Sequence, residues 1–306
     1  MKRSQWSGYS YLTLAMMMVG STVIASRLIA AGLPPFTATA ARFAMALPIF
    51  LLLMKLTATP WPRPRRHDVW VLICQAGAGS VAYTVLLISG MAHTSAANAG
   101  VISGTLPAVT GLVAMVLLRE KPGRSTWLAV ALSSLGVMLL QLPAQHDSAQ
   151  AGSLYGDGLI LAAMVAEALF ILLNQRLQQP IPPLALSTLM SALGLLLTVL
   201  PALAERPWTL APMAQAWWAV LYYAVVPTVM GFCLWYAGSA RIRGSAAAPF
   251  TAVAPLTTVL LAALWLGEPI LLWQWLGMGC VLMAILTGPL LAWHRRSGET
   301  VQVRYE

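Results

Sequence analysis

Ionisable side chains are rare in this 306-residue sequence, and three of them, Arg27, Arg42 and Glu167, stand inside long apolar runs. A charge placed there loses its hydration, so an intramembrane carboxylate is costly and by default a functional candidate. Glu167 follows Gly156 by eleven residues. At the rise of a helix that is about 16 Å, close to the middle of a hydrocarbon core roughly 30 Å thick. In that position a carboxylate can take up and release a proton or meet a substrate amine. The competing reading is a protonated or hydrogen-bonded glutamate that ties helices together. Asn174, seven residues on, shares its helical face. Arg42 is six residues into its run, about 9 Å below the surface, and Arg27 lies near a run's end, where its long side chain can snorkel.

A second set of residues could shape a pocket. Gln75, Gly79 and Tyr83 are spaced four apart and so share one face of a helix. At an offset of 148 residues they correspond to Tyr223, Pro227 and Gly231, again four apart. Each face mixes large polar or aromatic groups with small or helix-breaking ones. A binding pocket needs both, rings to cover an apolar side chain and gaps to admit it. Trp235 and Tyr236 continue the aromatic content of the second set, and Phe250 of the following run could reach in. The alternative is that these rings face lipid or pack between helices. Pro107 and Pro255 correspond at the same offset and each removes a backbone hydrogen bond within its helix. A kink is the structural outcome; a hinge that bends during a conformational exchange is the functional one.

The elements that hold these residues come from a repeat. Gly90, Ala92, Ala99, Pro107, Thr110, Leu112, Ala114, Leu118, Glu120, Trp127 and Leu128 all find an identical residue 148 positions later, from Gly238 to Leu276, without a gap. The same offset pairs Gly8 with Gly156, Met16 with Met164 and Pro34-Pro35 with Pro182-Pro183. A period this long means two fused halves, since solenoid repeats run about 20 to 50 residues. We read them as residues 8–142 and 155–293.

With 59% hydrophobic and 9% charged residues, the chain lies far from the soluble norm of about 25% charged. Apolar runs of about 18 residues or more recur from end to end, each long enough to cross a bilayer as a helix. The expected class is an all-α membrane protein with ten spans, at 9–30, 36–56, 69–91, 97–118, 125–142, 156–177, 184–203, 214–238, 246–266 and 271–293. The net charge of +9 does not signal nucleic acid, because the basic residues sit in short links between spans. Cys74, Cys233 and Cys280 fall inside apolar runs without CxxC spacing, which indicates neither disulfides nor a zinc site. The basic start before the run 12–25 resembles a signal peptide, yet it matches the beginning of the second half and so reads as a span.

With a cytoplasmic amino terminus, fifteen of the 18 lysines and arginines fall on the cytoplasmic side and only Arg27, Arg42 and Arg206 on the other. That bias places both termini inside. Five spans per half is an odd number, so the second half is expected to enter the membrane inverted. The polar stretch from Gln141 to Gly152 then lies outside, Glu120 at a cytoplasmic helix end and Glu268 at an external one. Two halves related by a pseudo-twofold axis in the membrane plane can open a midplane site to each side in turn.

These segments resemble the drug/metabolite transporter superfamily, EamA family. The resemblance is carried by Gly20-Ser21-Thr22-Val23-Ile24-Ala25-Ser26-Arg27, by Leu33-Pro34-Pro35 leading to Ala41-Arg42-Phe43, by Leu106-Pro107 with Leu118-Arg119-Glu120, and by Ala254-Pro255 with Leu266-Gly267-Glu268-Pro269. It covers nearly the whole chain and implies a ten-helix exporter whose first, third, fourth, sixth, eighth and ninth helices surround a central cavity. Within the family the chain is most similar to amino-acid exporters, in particular those for aromatic amino acids. It departs from the usual pattern at Glu167, where an aromatic or small residue is more common, and at Arg27, where Lys is.

Soluble-enzyme signatures are absent. There is no phosphate loop and no His-Glu-x-x-His, and Gly77-Ala78-Gly79-Ser80-Val81-Ala82 mimics a dinucleotide fingerprint but lies within a span, where close helix packing explains it. Gly100 and Gly104 read as a small-residue contact ridge. The expected function is a secondary transporter of the inner membrane, without cofactor or metal, that exports small metabolites such as amino acids down a gradient or coupled to protons. An intramembrane enzyme acting on lipid-linked substrates needs a convergent acid/base pair, nucleophile or metal. A passive channel shares the repeat but lacks saturable counterflow.

Overall fold

The computed structural model describes residues 2–30, 32–91, 93, 102–103, 105–117, 124–141, 154–209, 214–242, 248–257, 260 and 271–284. Every regular element among them is helical. The helices are α1 (Lys2–Ala30), α2 (Pro35–Leu56), α3 (Arg66–Gln75), α4 (Tyr83–Met91), α5 (Leu106–Leu117), α6 (Arg124–Gln141), α7 (Leu154–Leu173), α8 (Pro183–Ala204), α9 (Ala214–Tyr223) and α10 (Gly231–Ser239), with α11 over Leu272–Ala284. Five helical stretches are long and apolar enough to cross a membrane: Pro35–Leu56, Arg66–Gly90, Leu154–Arg176, Pro183–Ala204 and Ala214–Ser239. Glu120, Glu268, Gly100, Gly104 and nearly all of the expected linker at 141–152 lie outside the described residues.

The offset seen in the sequence recurs in the backbone. α2 and α8 both begin one residue after a Pro, at Pro35 and Pro183, where the missing N–H costs nothing and the fixed φ suits the first turn. They end alike as well. Ala58 and Arg206, 148 residues apart (206 − 58), are the two described non-glycine residues with positive φ, at 49° and 52°. After α2 the Ala58 N–H bonds the Lys55 carbonyl at 3.3 Å and the Thr59 N–H bonds Met54 at 3.0 Å, the pair of bonds that closes a helix through a left-handed residue. After α8 Arg206 bonds Leu203 at 3.1 Å and Pro207 follows, with no N–H to give. A left-handed alanine is strained relative to glycine. Ala58→Gly is therefore expected to raise stability by about 0.5–1 kcal/mol, after allowing for the extra chain entropy of glycine. A melting curve in detergent checks this, and an unchanged or lowered midpoint would contradict it.

The expected spans over 69–91 and 214–238 are not regular α-helices. Each widens in its middle into a π-helical segment, Ala76–Ala82 in the first and Ala224–Met230 in the second, again 148 residues apart (224 − 76). Such segments are rare and often mark functional sites. Their local causes differ. Ala76–Ala82 contains Gly77 and Gly79, whose lack of Cβ lets the helix widen. Ala224–Met230 contains Pro227, which has no N–H, and Thr228 Oγ1 donates to the Tyr223 carbonyl at 2.8 Å, five residues back.

Pro107 likewise stands elsewhere than inside a continuous fourth helix. The chain turns at Thr105, whose Oγ1 donates to the Ile102 carbonyl at 2.6 Å, and Pro107 is the second residue of α5, a position that needs no N–H. Pro255 falls in a helical turn over 253–257, directly after a 3₁₀ segment, Ala248–Ala252.

Glycines shared by the two copies of the pattern let helices pack closely. α1 packs against α10 and α4 against α7. A Cβ on Gly238 would lie 3.1 Å from the Gly8 carbonyl, and one on Gly90 3.3 Å from the Gly156 carbonyl. These are the same repeat-related residues meeting crosswise. The most extensive helix pair is α2 with α8. It is tied at one end by Glu205, whose carboxylate accepts from the Phe36 and Thr37 N–H groups and from Thr37 Oγ1 at 3.1, 2.6 and 2.7 Å, capping α2. Asp68, at the start of α3, accepts from the Gln178 N–H at 3.0 Å. Within α2 and α8, the buried Thr39 and Ser187 turn their hydroxyls back to carbonyls four residues earlier, at 2.7 and 2.9 Å, which satisfies them inside the helix.

Candidate functional site

Both π-helical segments open onto one cavity. Its wall is built by Ala15, Met16, Val19 and Thr22 of α1, Arg42 of α2, Gly79, Tyr83 and Thr84 of the first widened span, Glu167 and Phe170 of α7, and Tyr223, Pro227, Thr228, Gly231, Phe232 and Trp235 of the second. Of the residues singled out in the sequence, Arg42, Gly79, Tyr83, Glu167, Tyr223, Pro227, Gly231 and Trp235 meet here.

Two do not line it. Gln75 is fully buried beside the site, and its Nε2 donates to the Phe170 carbonyl at 3.0 Å, so it fixes the backbone that carries a wall residue. Phe250 is buried and stacks on Tyr9, with centroids 5.4 Å apart and planes at 11°. Asn174 falls just past the end of α7, in a 3₁₀ turn, and donates to Ser239 Oγ at 3.2 Å. Tyr236, one turn beyond Phe232, is off the wall, but its ring packs 6.0 Å from those of both Phe170 and Phe232, which are themselves 5.8 Å apart.

Sequence reasoning placed Arg42 at a depth without assigning it a site. It is 6% exposed, and its Nη2 donates to the Ser80 carbonyl at 3.0 Å. That acceptor belongs to the widened turn. The guanidinium carbon lies 4.2 Å from the Phe43 ring centroid and 4.6 Å from that of Tyr223, so two rings orient the cation. Arg42 Nε is buried without a partner.

Glu167 is 8% exposed. Among the described residues its carboxylate accepts no hydrogen bond and forms no ion pair, and the cation that lines the same cavity is Arg42. Phe170 was legible in hindsight, since it follows Glu167 by three residues and must share its helix face. Arg42 had a weaker signal, an arginine within a span and with no acidic residue near it in sequence.

One cavity therefore holds a buried cation, a buried carboxylate and rings from four helices. It can accept a small molecule that carries charge at one end and an apolar surface at the other. It offers no nucleophile paired with a base among its lining residues.

Comparison with known proteins agrees with this architecture. A profile of the EamA-like transporter family matches residues 6–142 and again residues 154–287. YetK of Bacillus subtilis, described as an uncharacterized transporter, is 32% identical over 286 residues, covering 92% of this chain and 87% of its own. A probable terminal-alkyne amino-acid exporter of Streptantibioticus cattleyicolor is 26% identical over 211 residues, with 67% and 68% covered. YedA of Escherichia coli, described as an uncharacterized inner membrane transporter, is 23% identical over 271 residues, with 87% and 85% covered. A crystal structure 17% identical in sequence superposes with a TM-score of 0.73 over 96% of this chain and 98% of the other, which shows the shared fold. The two profile matches span most of the sequence, and the chain belongs to the EamA-like transporter family.

Proposed function

We propose that this transporter exports amino acids across the inner membrane by alternating access between two inverted five-helix repeats, 8–142 and 155–293. The observation that carries the reading is the pair of π-helical segments, Ala76–Ala82 and Ala224–Met230, which stand at the repeat offset and both wall one buried cavity. Backbone widened at corresponding depths on two sides of a site is a place where each repeat can rearrange without breaking its span. The crosswise glycine contacts, Gly8 with Gly238 and Gly90 with Gly156, support a pseudo-twofold relation between the repeats. In ten spans with both termini cytoplasmic, Arg42 lies toward the external end of the cavity. Glu167 is the acidic group of the cavity wall, and any proton coupling runs through it. The relatives whose names mention amino-acid export and the inner membrane support the substrate class and the location. Pro107, after the turn that opens α5, and Pro255, just past a 3₁₀ segment, are the proposed hinges.

The test combines orientation and flux. Reporters fused after Gln145 should be external, and those at Arg65, Lys121 and the carboxyl terminus cytoplasmic. Proteoliposomes preloaded with an unlabelled amino acid should then accumulate the labelled one transiently and saturably. Linear, non-saturating flux would indicate a channel, and termini on opposite faces would remove the inverted repeat.

A further inference from the structure

Arg42 and Glu167 present opposite charges to one buried cavity, yet they form no ion pair with each other. In surroundings of low dielectric a structural pair would be expected to close, because each charge left alone is costly. Arg42 is instead held in place from the side, by Ser80 and by the rings of Phe43 and Tyr223, while Nε stays without a partner. Glu167 has no hydrogen-bond partner among the described residues. Two buried ionisable groups of opposite sign that do not satisfy one another are suited to a third party that carries both complements.

We propose that Arg42 and Glu167 form a two-ended clamp for the zwitterion of a free α-amino acid, the guanidinium taking its carboxylate and the Glu167 carboxylate its ammonium. The planar fork of arginine suits a carboxylate, and a carboxylate acceptor suits an ammonium. The side chain of the substrate lies against Phe170, Phe232 and Trp235, which favours bulky apolar or aromatic residues. This assignment rests on the amino-acid export reading and narrows it. Decarboxylated amines and deaminated acids of the same shape each leave one buried charge unmatched, and a site built around a polar group rejects the analogue that lacks it.

The test uses counterflow of labelled L-phenylalanine by the full-length protein in liposomes, with unlabelled L-phenylalanine, 2-phenylethylamine and 3-phenylpropionate as competitors. The clamp requires both single-charge analogues to compete on the order of 100-fold more weakly than L-phenylalanine. In Arg42→Gln the ranking should invert in favour of 2-phenylethylamine, and in Glu167→Gln in favour of 3-phenylpropionate. Misfolding cannot produce opposite inversions. Ligand-induced thermal shifts of the purified variants give the same ranking if turnover is lost, and the wild-type series decides alone if a variant does not fold. Analogues that compete within about threefold of L-phenylalanine in the wild type, or rankings unchanged in both variants, overturn the clamp while leaving amino-acid export standing. Absence of saturable counterflow for every common amino acid sinks both.

Discussion

Gly79→Ala should lower transport by about tenfold or more, whereas Gly77→Ala, two residues earlier in the same π-helical segment, should leave it within about twofold of wild type. A Cβ on Gly79 would lie 2.2 Å from Phe170 Cβ, Cγ and Cδ2, a distance no packing tolerates. A Cβ on Gly77 would meet only Leu197 Cδ1, at 4.0 Å. The backbone of Phe170 has little freedom to retreat, because its carbonyl is held by Gln75. Turning the ring relieves Cγ and Cδ2 but not Cβ, so the added methyl forces the two helices apart at Phe170, a residue of the cavity wall. Overpacking of this kind costs about 1–3 kcal/mol, enough for a loss of tenfold or more in flux. Both substitutions raise helix propensity by the same amount, so the comparison isolates the contact with Phe170. Counterflow rates normalised to protein in the membrane measure it. Normal flux in Gly79→Ala would mean that the Phe170 wall is not used.

Tyr223→Ala and Tyr83→Ala should differ in kind, although the two residues line the same cavity. The Tyr223 ring lies 4.6 Å from the Arg42 guanidinium, and removing it frees the cation as well as opening the wall. A desolvated interaction of this type is worth about 2 kcal/mol, so counterflow of every amino acid should fall by an order of magnitude or more. Tyr223→Phe, which keeps the ring, should retain most of the activity. Tyr83 contributes wall without touching the cation in this way. Its truncation should weaken Phe and Trp several-fold more than Ala or Thr, because only a large side chain reaches far enough to be covered by that ring. Equal losses for large and small substrates in Tyr83→Ala would assign it to folding and not to the pocket.

Much of the site was legible before any coordinates. A face of four-residue spacing brought Gly79 and Tyr83 together, the repeat offset added Tyr223, and depth alone drew attention to Glu167. Gln75 shares that spacing but ends beside the cavity, because the widened helix that begins at Ala76 rotates the face away from a strict four-residue register. Phe250 was placed by its neighbourhood in the chain, and a stacking partner on α1, Tyr9, took it elsewhere.

The sequence by itself determined the class, an apolar chain of spans with few charges, the period of 148 residues, and the residues that could carry chemistry inside a bilayer. Hydrophobic length and repeated composition are written locally, so they survive being read one residue at a time. The tertiary structure decided where the helices widen, which glycines meet carbonyls of another helix, and that Arg42 joins Glu167 at one cavity. Those outcomes depend on partners distant in the chain, such as Phe170 for Gln75, 95 positions on, and on helix widening to which no single side chain points. A cation and a carboxylate 125 residues apart (167 − 42) carry no mutual signal along the chain. Their meeting follows from the packing of α2 and α7 around the widened span between them.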